Sequence, residues 1–581
     1  DVGPVYWRSV NFWRCIMLPK SILQTLFCTI ALSVLAVGSA HASDEPLFKN
    51  PILPGGYPDP SICHDGEAWY LVNSSFEYFP GLPIHRSTDL VNWELIGYGL
   101  HRESQATGAV NLVDVQSNGG IHAPTIRCGD GRFYIITTNV YLPPEPGAHA
   151  RMVNFVITAD DPAGPWSEPH VLEGAPGIDP DIFFDDDGRV WYVGTHSPEN
   201  PNFPGEGEIW LQEIDTANWS LKGERHFLWR GACGGVWVEG PHLYKHDGRY
   251  YLMVAEGGTS FDHAVMIAVS DNITGPYQSN PRNPILTSRH LSYDHWVNST
   301  GHADLFQLPD GRWYMVALGI RGDVNRRSNM GRETHLLPVT WEREPYEWKD
   351  VKLDWPVASP LSGRVDRHYP LPFTNSRQNP RTELIDDFDG AELALDWNFR
   401  RVPLPGAYSL SEKPGHLRLN TLPAVIRERG RAALLGIRQT ETHFGYETRM
   451  LFTPQNDGSE AGMVLFQKDD NYIGFTLKRE NGTHRLRLTL ARTGSEPEVR
   501  QQSTIENYVG EMFFKAEFID GEYVFNWALH ENGEYEEFAR LPGDAILSQG
   551  YTGAYLGLYA TSNGLHGSGH ADFDWVMYTT R

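Results

Sequence analysis

A short pattern recurs roughly every sixty residues through the first part of this 581-residue chain. The copies are DPSICHDGEAWY from Asp59, APTIRCGDGRFY from Ala123, DPDIFFDDDGRVWY from Asp179, EGPHLYKHDGRYY from Glu239 and HADLFQLPDGRWY from His302. Each copy reads as an apolar strand, an Asp-Gly turn and a second strand that ends in an aromatic residue and Tyr. Further apolar stretches follow, such as MVNFVIT and AVMIAVS, and several copies close on similar turns: STDLVNW, DDPAGPW and SDNITGPY. Four-stranded units at this period specify an all-β fold, a β-propeller, and five copies specify five blades. The rival, a run of unrelated hairpins in one large sandwich, would not keep the copies in matched register. The 57 Gly, 40 Pro and 12% aromatic content suit short strands and tight turns.

The periodicity stops near residue 345. Residues 43–345 are therefore expected to form the propeller, and the Pro-rich stretch 346–383 a linker. From 384 to 581 apolar and polar residues alternate again, as in FGYETRMLF and YIGFTLKR, which predicts a second all-β unit, a β-sandwich. Ahead of the propeller, Lys20, the apolar run ILQTLFCTIALSVLAVGSA and an A-x-A site at Ala40-His41-Ala42 read as a signal peptide within a leader of residues 1–42. The mature protein would then be secreted or periplasmic and free of the membrane. It would keep Cys63, Cys128 and Cys233, an odd number without metal-site spacing, and no disulfide framework is expected from them.

In a propeller the innermost strand of each blade lines the central channel. The first residues of the copies, Asp59, Ala123, Asp179, Glu239 and His302, would thus meet on the axis. Asp59 stands between Pro58 and Pro60, which stiffen it as they would a turn. Convergence on one site explains that stiffness. Glycosidic bonds are cleaved by paired carboxyl groups, one protonating the leaving oxygen and one activating water or attacking carbon. A third carboxylate nearby raises the pKa of the acid. Three acids also suit a calcium ion, although Glu239 sits in a different local frame, with Gly240 before the proline. A net charge of −25 disfavours nucleic acid and anionic lipid as partners, and the aromatic content suits carbohydrate.

The segments YPDPSI, SSFEYFPGLPIHRSTDLVNW, GGIHAPT, IDPDIFFDDDGR, VEGPHLYK, AEGGT, TGHADLFQ and GRETHLLPVTW resemble glycoside hydrolase family 43, in order and across all five blades. The similarity is greatest to the two-domain β-xylosidases and α-L-arabinofuranosidases and covers about residues 48 to 581. It implies a five-bladed propeller, a C-terminal concanavalin A-like β-sandwich, and hydrolysis with inversion. It makes Asp59 the general base, Asp179 rather than Asp181 the pKa-modulating acid, and Glu239 the general acid. Inversion would set the Asp59 and Glu239 carboxyls about 6.5–9.5 Å apart. It further implies Arg321 as a substrate-binding arginine, Phe76 as a ring of the sugar pocket, and His302 as an axial histidine beside a channel water or calcium. No cofactor is required by it.

His122 and Thr125 stand where family xylosidases often carry Trp and Asp. The smaller polar wall favours a furanose, so arabinofuranosidase activity is expected, with β-xylosidase activity as companion. The expected substrate is arabinoxylan of the plant cell wall or its oligosaccharides. The rivals are a noncatalytic carbohydrate-binding protein and an endo-arabinanase. The segment SQGYTGAYLGLYATSNG of the sandwich is expected to approach the propeller.

Overall fold

The structure, a computed structural model, describes residues 46–581 apart from 130, 349–350, 532 and 566–568; the expected leader and signal peptide lie outside the described residues. Five antiparallel blades follow one another along the chain, four of them four-stranded and blade four with a short extra strand, Leu286–Thr287. Their innermost strands are Ser61–His64, Gly120–Gly129, Ile178–Phe184, Glu239–His246 and Asn298–Gln307. The Asp-Gly turns leave these strands as predicted. Gly66, Gly131, Gly188, Gly248 and Gly311 all take positive φ, which only glycine adopts without strain. Between blades one and two, Leu82, Ile84, Ile121, Ile135 and Phe155 are buried together, and each such side chain contributes about 1.5–3 kcal/mol.

The propeller extends past residue 345. Val351–Ala358 is the fourth strand of blade five, and His368–Pro370 pairs with Leu47–Lys49. The expected linker 346–383 is corrected accordingly. Pro356 hid the strand, because proline is tolerated only at sheet edges, and this strand is an edge. A second correction concerns cysteine. Cys63 and Cys128 form a disulfide with Cα atoms 5.9 Å apart, joining the innermost strands of blades one and two, while Cys233 is free. Residue parity carried no information about this pair, which adjacent blades bring together.

Residues 383–580 fold into two large sheets packed face to face over a core that includes Leu435, Met463, Phe475, Phe514 and Leu558. The sandwich is not a separate attachment. Tyr78–Phe79, from blade one, pairs with Asn398–Arg400 and becomes an edge strand of a sandwich sheet. Among the described residues no helix is long and apolar enough to cross a membrane.

Candidate active site

Four of the five innermost strands start with the same irregularity. The ladder register shifts between His122 and Thr125, between Ile178 and Asp181, between Glu239 and His242, and around Gly301. Left-handed backbone marks each corner: φ is 50° at Asp59, 40° at Ala123, 55° at Asp179, 56° at Gly240 and 43° at His302. Such bulges bend a strand and re-aim its side chains. The structural equivalent of Asp59 in blade four is therefore Gly240, not Glu239. A Cβ at Gly240 would stand 3.0 Å from the His302 ring, so that corner has no room for a side chain, and the carboxylate is carried one residue earlier.

Asp59 is buried and held from two sides. Arg332 Nη1 donates to Oδ1 at 2.9 Å and Nη2 to Oδ2 at 3.3 Å. Ser74 Oγ donates to Oδ2 at 2.6 Å and itself accepts from the Ala123 N–H at 2.7 Å. Burial would raise the pKa of Asp59, but Arg332, aided by His302 and Ser74, outweighs it and holds the carboxyl below the usual aspartate range. His302 Nδ1 lies 3.8 Å from Asp59 Oδ1, and burial pushes its pKa down to about 4, so the ring is neutral at pH 7.

Asp179 and Glu239 behave oppositely. Asp179 is buried and accepts the Gly240 N–H at 3.1 Å. Glu239 has no ion-pair partner among the described residues. Burial raises both carboxyls: Asp179 goes well above its usual range, with repulsion from Glu239 next in size. Glu239 is raised to about 7, with repulsion from Asp59 next in size. Two such close acids titrate as a pair, and the pair keeps a proton near neutral pH. Ligand atoms of Asp179, Glu239 and His302 lie within 4.8 Å of one another. Two carboxylates and one imidazole fall short of the six to eight oxygens calcium takes, so the protein alone does not supply a calcium cage there.

One layer down the channel lies a second polar ring, formed by the residues two positions after each corner. Asp181 pairs with Arg127 at 2.7 Å and with His242 at 3.1 Å. Asp304 accepts from Arg127 at 3.2 Å, Ser61 at 2.8 Å and Tyr244 at 2.7 Å. Against burial, His242 and Arg127, with the Tyr244 and Ser61 hydroxyls, hold Asp304 down at about 2. Asp181 thus belongs to the supporting ring and Asp179 to the upper one. Thr125 also lies in the lower layer, donating to Pro180 O at 3.0 Å, so it does not face the same space as His122.

The upper ring is walled by aromatic groups. Phe76, also left-handed at φ 49°, is fixed by a two-way backbone bridge to Ile121, and its ring meets that of His122 edge-on at 4.9 Å. Tyr551, from the expected sandwich segment, lies 5.8 Å from Phe76, and the Arg332 guanidinium sits 5.0 Å over its ring. The same segment docks through Ser328 N to Ser548 O at 2.9 Å and Tyr551 N to Asn118 Oδ1 at 3.1 Å.

Arg321 is placed elsewhere. It pairs with Glu333 at 2.7 Å and with Glu441 of the sandwich at 2.8 Å, bracing blade five against the second domain. Ile320 and Arg332 are opposite each other in the antiparallel ladder, so one hairpin presents two arginines to two different surroundings. The motif neighbourhood could not tell which reaches the axis. Arg332 lies in the segment GRETHLLPVTW, where nothing local marks it, because its partner Asp59 is 273 residues away.

Comparisons with known proteins agree with this geometry. Residues 48–345 match the model for glycosyl hydrolases family 43, and residues 385–579 match that for the β-xylosidase C-terminal concanavalin A-like domain. A xylosidase/arabinosidase from Butyrivibrio fibrisolvens is 39% identical over 539 residues, covering 91% of this chain and 98% of that protein. A non-reducing end α-L-arabinofuranosidase from Bacteroides ovatus is 35% identical over 555 residues, covering 95% and 98%. The crystal structure of a xylan β-1,4-xylosidase from Bacillus halodurans superposes with a TM-score of 0.82 at 30% identity, covering 92% of this chain and all of that one. The chain therefore belongs to glycosyl hydrolase family 43, as a glycoside hydrolase of the α-L-arabinofuranosidase and/or β-xylosidase type.

Proposed function

We propose that the protein is an exported, inverting exo-glycosidase that releases α-L-arabinofuranose and/or β-D-xylose from plant arabinoxylan or its oligosaccharides. The observation that carries this is the division of charge across the axis: Asp59 is held ionised by Arg332 and Ser74, while Glu239 is raised to about 7. In this scheme Asp59 takes a proton from a water, whose oxygen attacks the anomeric carbon. The bond from that carbon to the leaving oxygen breaks, and Glu239 delivers its proton to that oxygen. Asp179, raised in its turn by burial and by Glu239 and oriented by the Gly240 N–H, shares the proton of the pair with Glu239. No cofactor takes part, and a calcium ion near His302 would draw most of its ligands from water.

Tyr551 of the sandwich, over Arg332 and beside Phe76, favours a closed end to the pocket and hence exo action. His122 beside Phe76 is the residue from which a preference for arabinofuranose is inferred. Export is supported by the leader pattern and by the Cys63–Cys128 disulfide, a bond typical of oxidising compartments. Incubation with 4-nitrophenyl α-L-arabinofuranoside, 4-nitrophenyl β-D-xylopyranoside and arabinoxylan oligosaccharides, with products followed by NMR, tests the reading. Release of single sugars with inverted anomeric configuration is expected. Retention, or internal cleavage of linear arabinan, overturns the mechanism or the exo assignment respectively.

A further inference from the structure

Two residues before Glu239 stands Trp237, which the scheme above leaves without a task. Its side chain is large and apolar, yet the residue is 53% exposed. The backbone around it is nevertheless built closely to hold it. Trp237 has φ 49°, a left-handed conformation that is strained for a bulky residue. Its N–H donates to Gly205 O at 2.8 Å. A Cβ at Gly205 would stand 2.3 Å from indole Cε2, and one at Gly258 would stand 3.4 Å from Cδ1. Gly205 and Gly258 both take positive φ, at 84° and 65°. A strained backbone and a glycine on either side thus keep one ring in place at the surface. A ring needed only for packing would be buried.

The position ties this ring to the site. Gly258 precedes Thr259, whose hydroxyl accepts from Arg332 Nη1 at 3.4 Å, and Arg332 is the partner of Asp59. Trp237 also leads directly into the strand that begins with Glu239. Glu239 protonates the leaving oxygen in the proposed scheme, so the leaving sugar has to lie on the Glu239 side. We propose that Trp237 is the platform of a leaving-group subsite, on whose indole face the C–H face of the substrate's second sugar ring stacks. The inference rests on Glu239 being the acid.

The test compares kcat/KM for a disaccharide or short xylo-oligosaccharide with that for the methyl glycoside of the same terminal sugar. In Trp237→Ala the ratio of the two is expected to fall about tenfold, the range of a single lost apolar contact. Trp237→Phe should recover most of it. The inhibition constant of the released monosaccharide, which needs only the inner pocket, should stay within a factor of two of wild type. An unchanged ratio, or a fall on both substrates with a weakened monosaccharide constant, overturns the platform while the hydrolase reading stands. A wild type that turns over neither substrate sinks the reading of Glu239 and the platform with it.

Discussion

Asp59 and Asp179 occupy the same corner of their blades, with the same left-handed backbone and a proline after each, yet the structure moves their pKa values in opposite directions. On the blade-one side, a bidentate arginine and a hydroxyl surround the carboxylate. On the side of blades three and four, Asp179 receives one backbone N–H, and after burial the strongest influence on it is another acid, Glu239. Symmetry of the fold thus supplies equal positions, and the neighbours divide the work. Low dielectric makes both effects large, because a buried charge without a partner is costly and a paired one is not.

The largest effects should come from removing either acid. Asp59→Asn and Glu239→Gln should each lower kcat on a natural disaccharide about a thousandfold. On a 2,4-dinitrophenyl glycoside, whose leaving group needs no proton, Glu239→Gln should recover most of its rate and Asp59→Asn should not. Equal recovery in both variants would erase the distinction between the two sides. Next in size, Arg332→Met frees Asp59 from its cation. A loss of about a hundredfold in kcat/KM is expected, together with an acid limb of the pH profile displaced to higher pH, and Arg332→Lys should fall between because it cannot bind both oxygens. An unmoved acid limb would mean that Arg332 does not hold the charge of Asp59.

The pH profile itself sharpens the comparison. Glu239 must be protonated, so kcat/KM should fall as pH rises through about 7. Asp59 must be ionised and its pKa is lowered, so activity should persist on the acid side until below the usual aspartate range. In Asp179→Asn the acid that shares the proton is gone, and the alkaline limb should stay near or below about 7, because burial and Asp59 raise Glu239 without it. An alkaline limb that moves upward would contradict this. A smaller effect is expected of Tyr551→Ala, which strips the sandwich ring from Arg332: KM should rise about fivefold with kcat little changed. An equal KM would show that the second domain only braces the pocket. The least effect on catalysis is expected where the base side is tied to its neighbour. Replacing Cys63 and Cys128 by Ser should cost about 2–4 kcal/mol of stability, seen as a lower Tm, with kcat intact. An unchanged Tm would argue against the bond.

What could be read from the sequence was local. An Asp-Gly turn needs a glycine with positive φ between two strands, so each hairpin declared itself within a dozen residues, and five of them at one period declared the blades. The axial residues Asp59, Asp179, Glu239 and His302 followed from that register, and resemblance to a family supplied the roles of the three acids together with Phe76 and His122. The remainder depended on pairs far apart in the chain. Whether Arg321 or Arg332 meets Asp59 is decided by which way a hairpin faces, and whether Cys63 finds Cys128 by how two blades stand side by side. The fourth strand of blade five carries Pro356, legible as a strand only once its outer edge is known to be unpaired. Likewise Tyr78–Phe79 gives no local sign that it belongs to a sandwich sheet more than 300 residues later, because a backbone edge accepts any strand that tertiary packing delivers to it. The charges of the three acids belong to the same class: a carboxyl group carries one intrinsic pKa in sequence, and only burial and the cations brought beside it in the folded chain decide which acid keeps its proton.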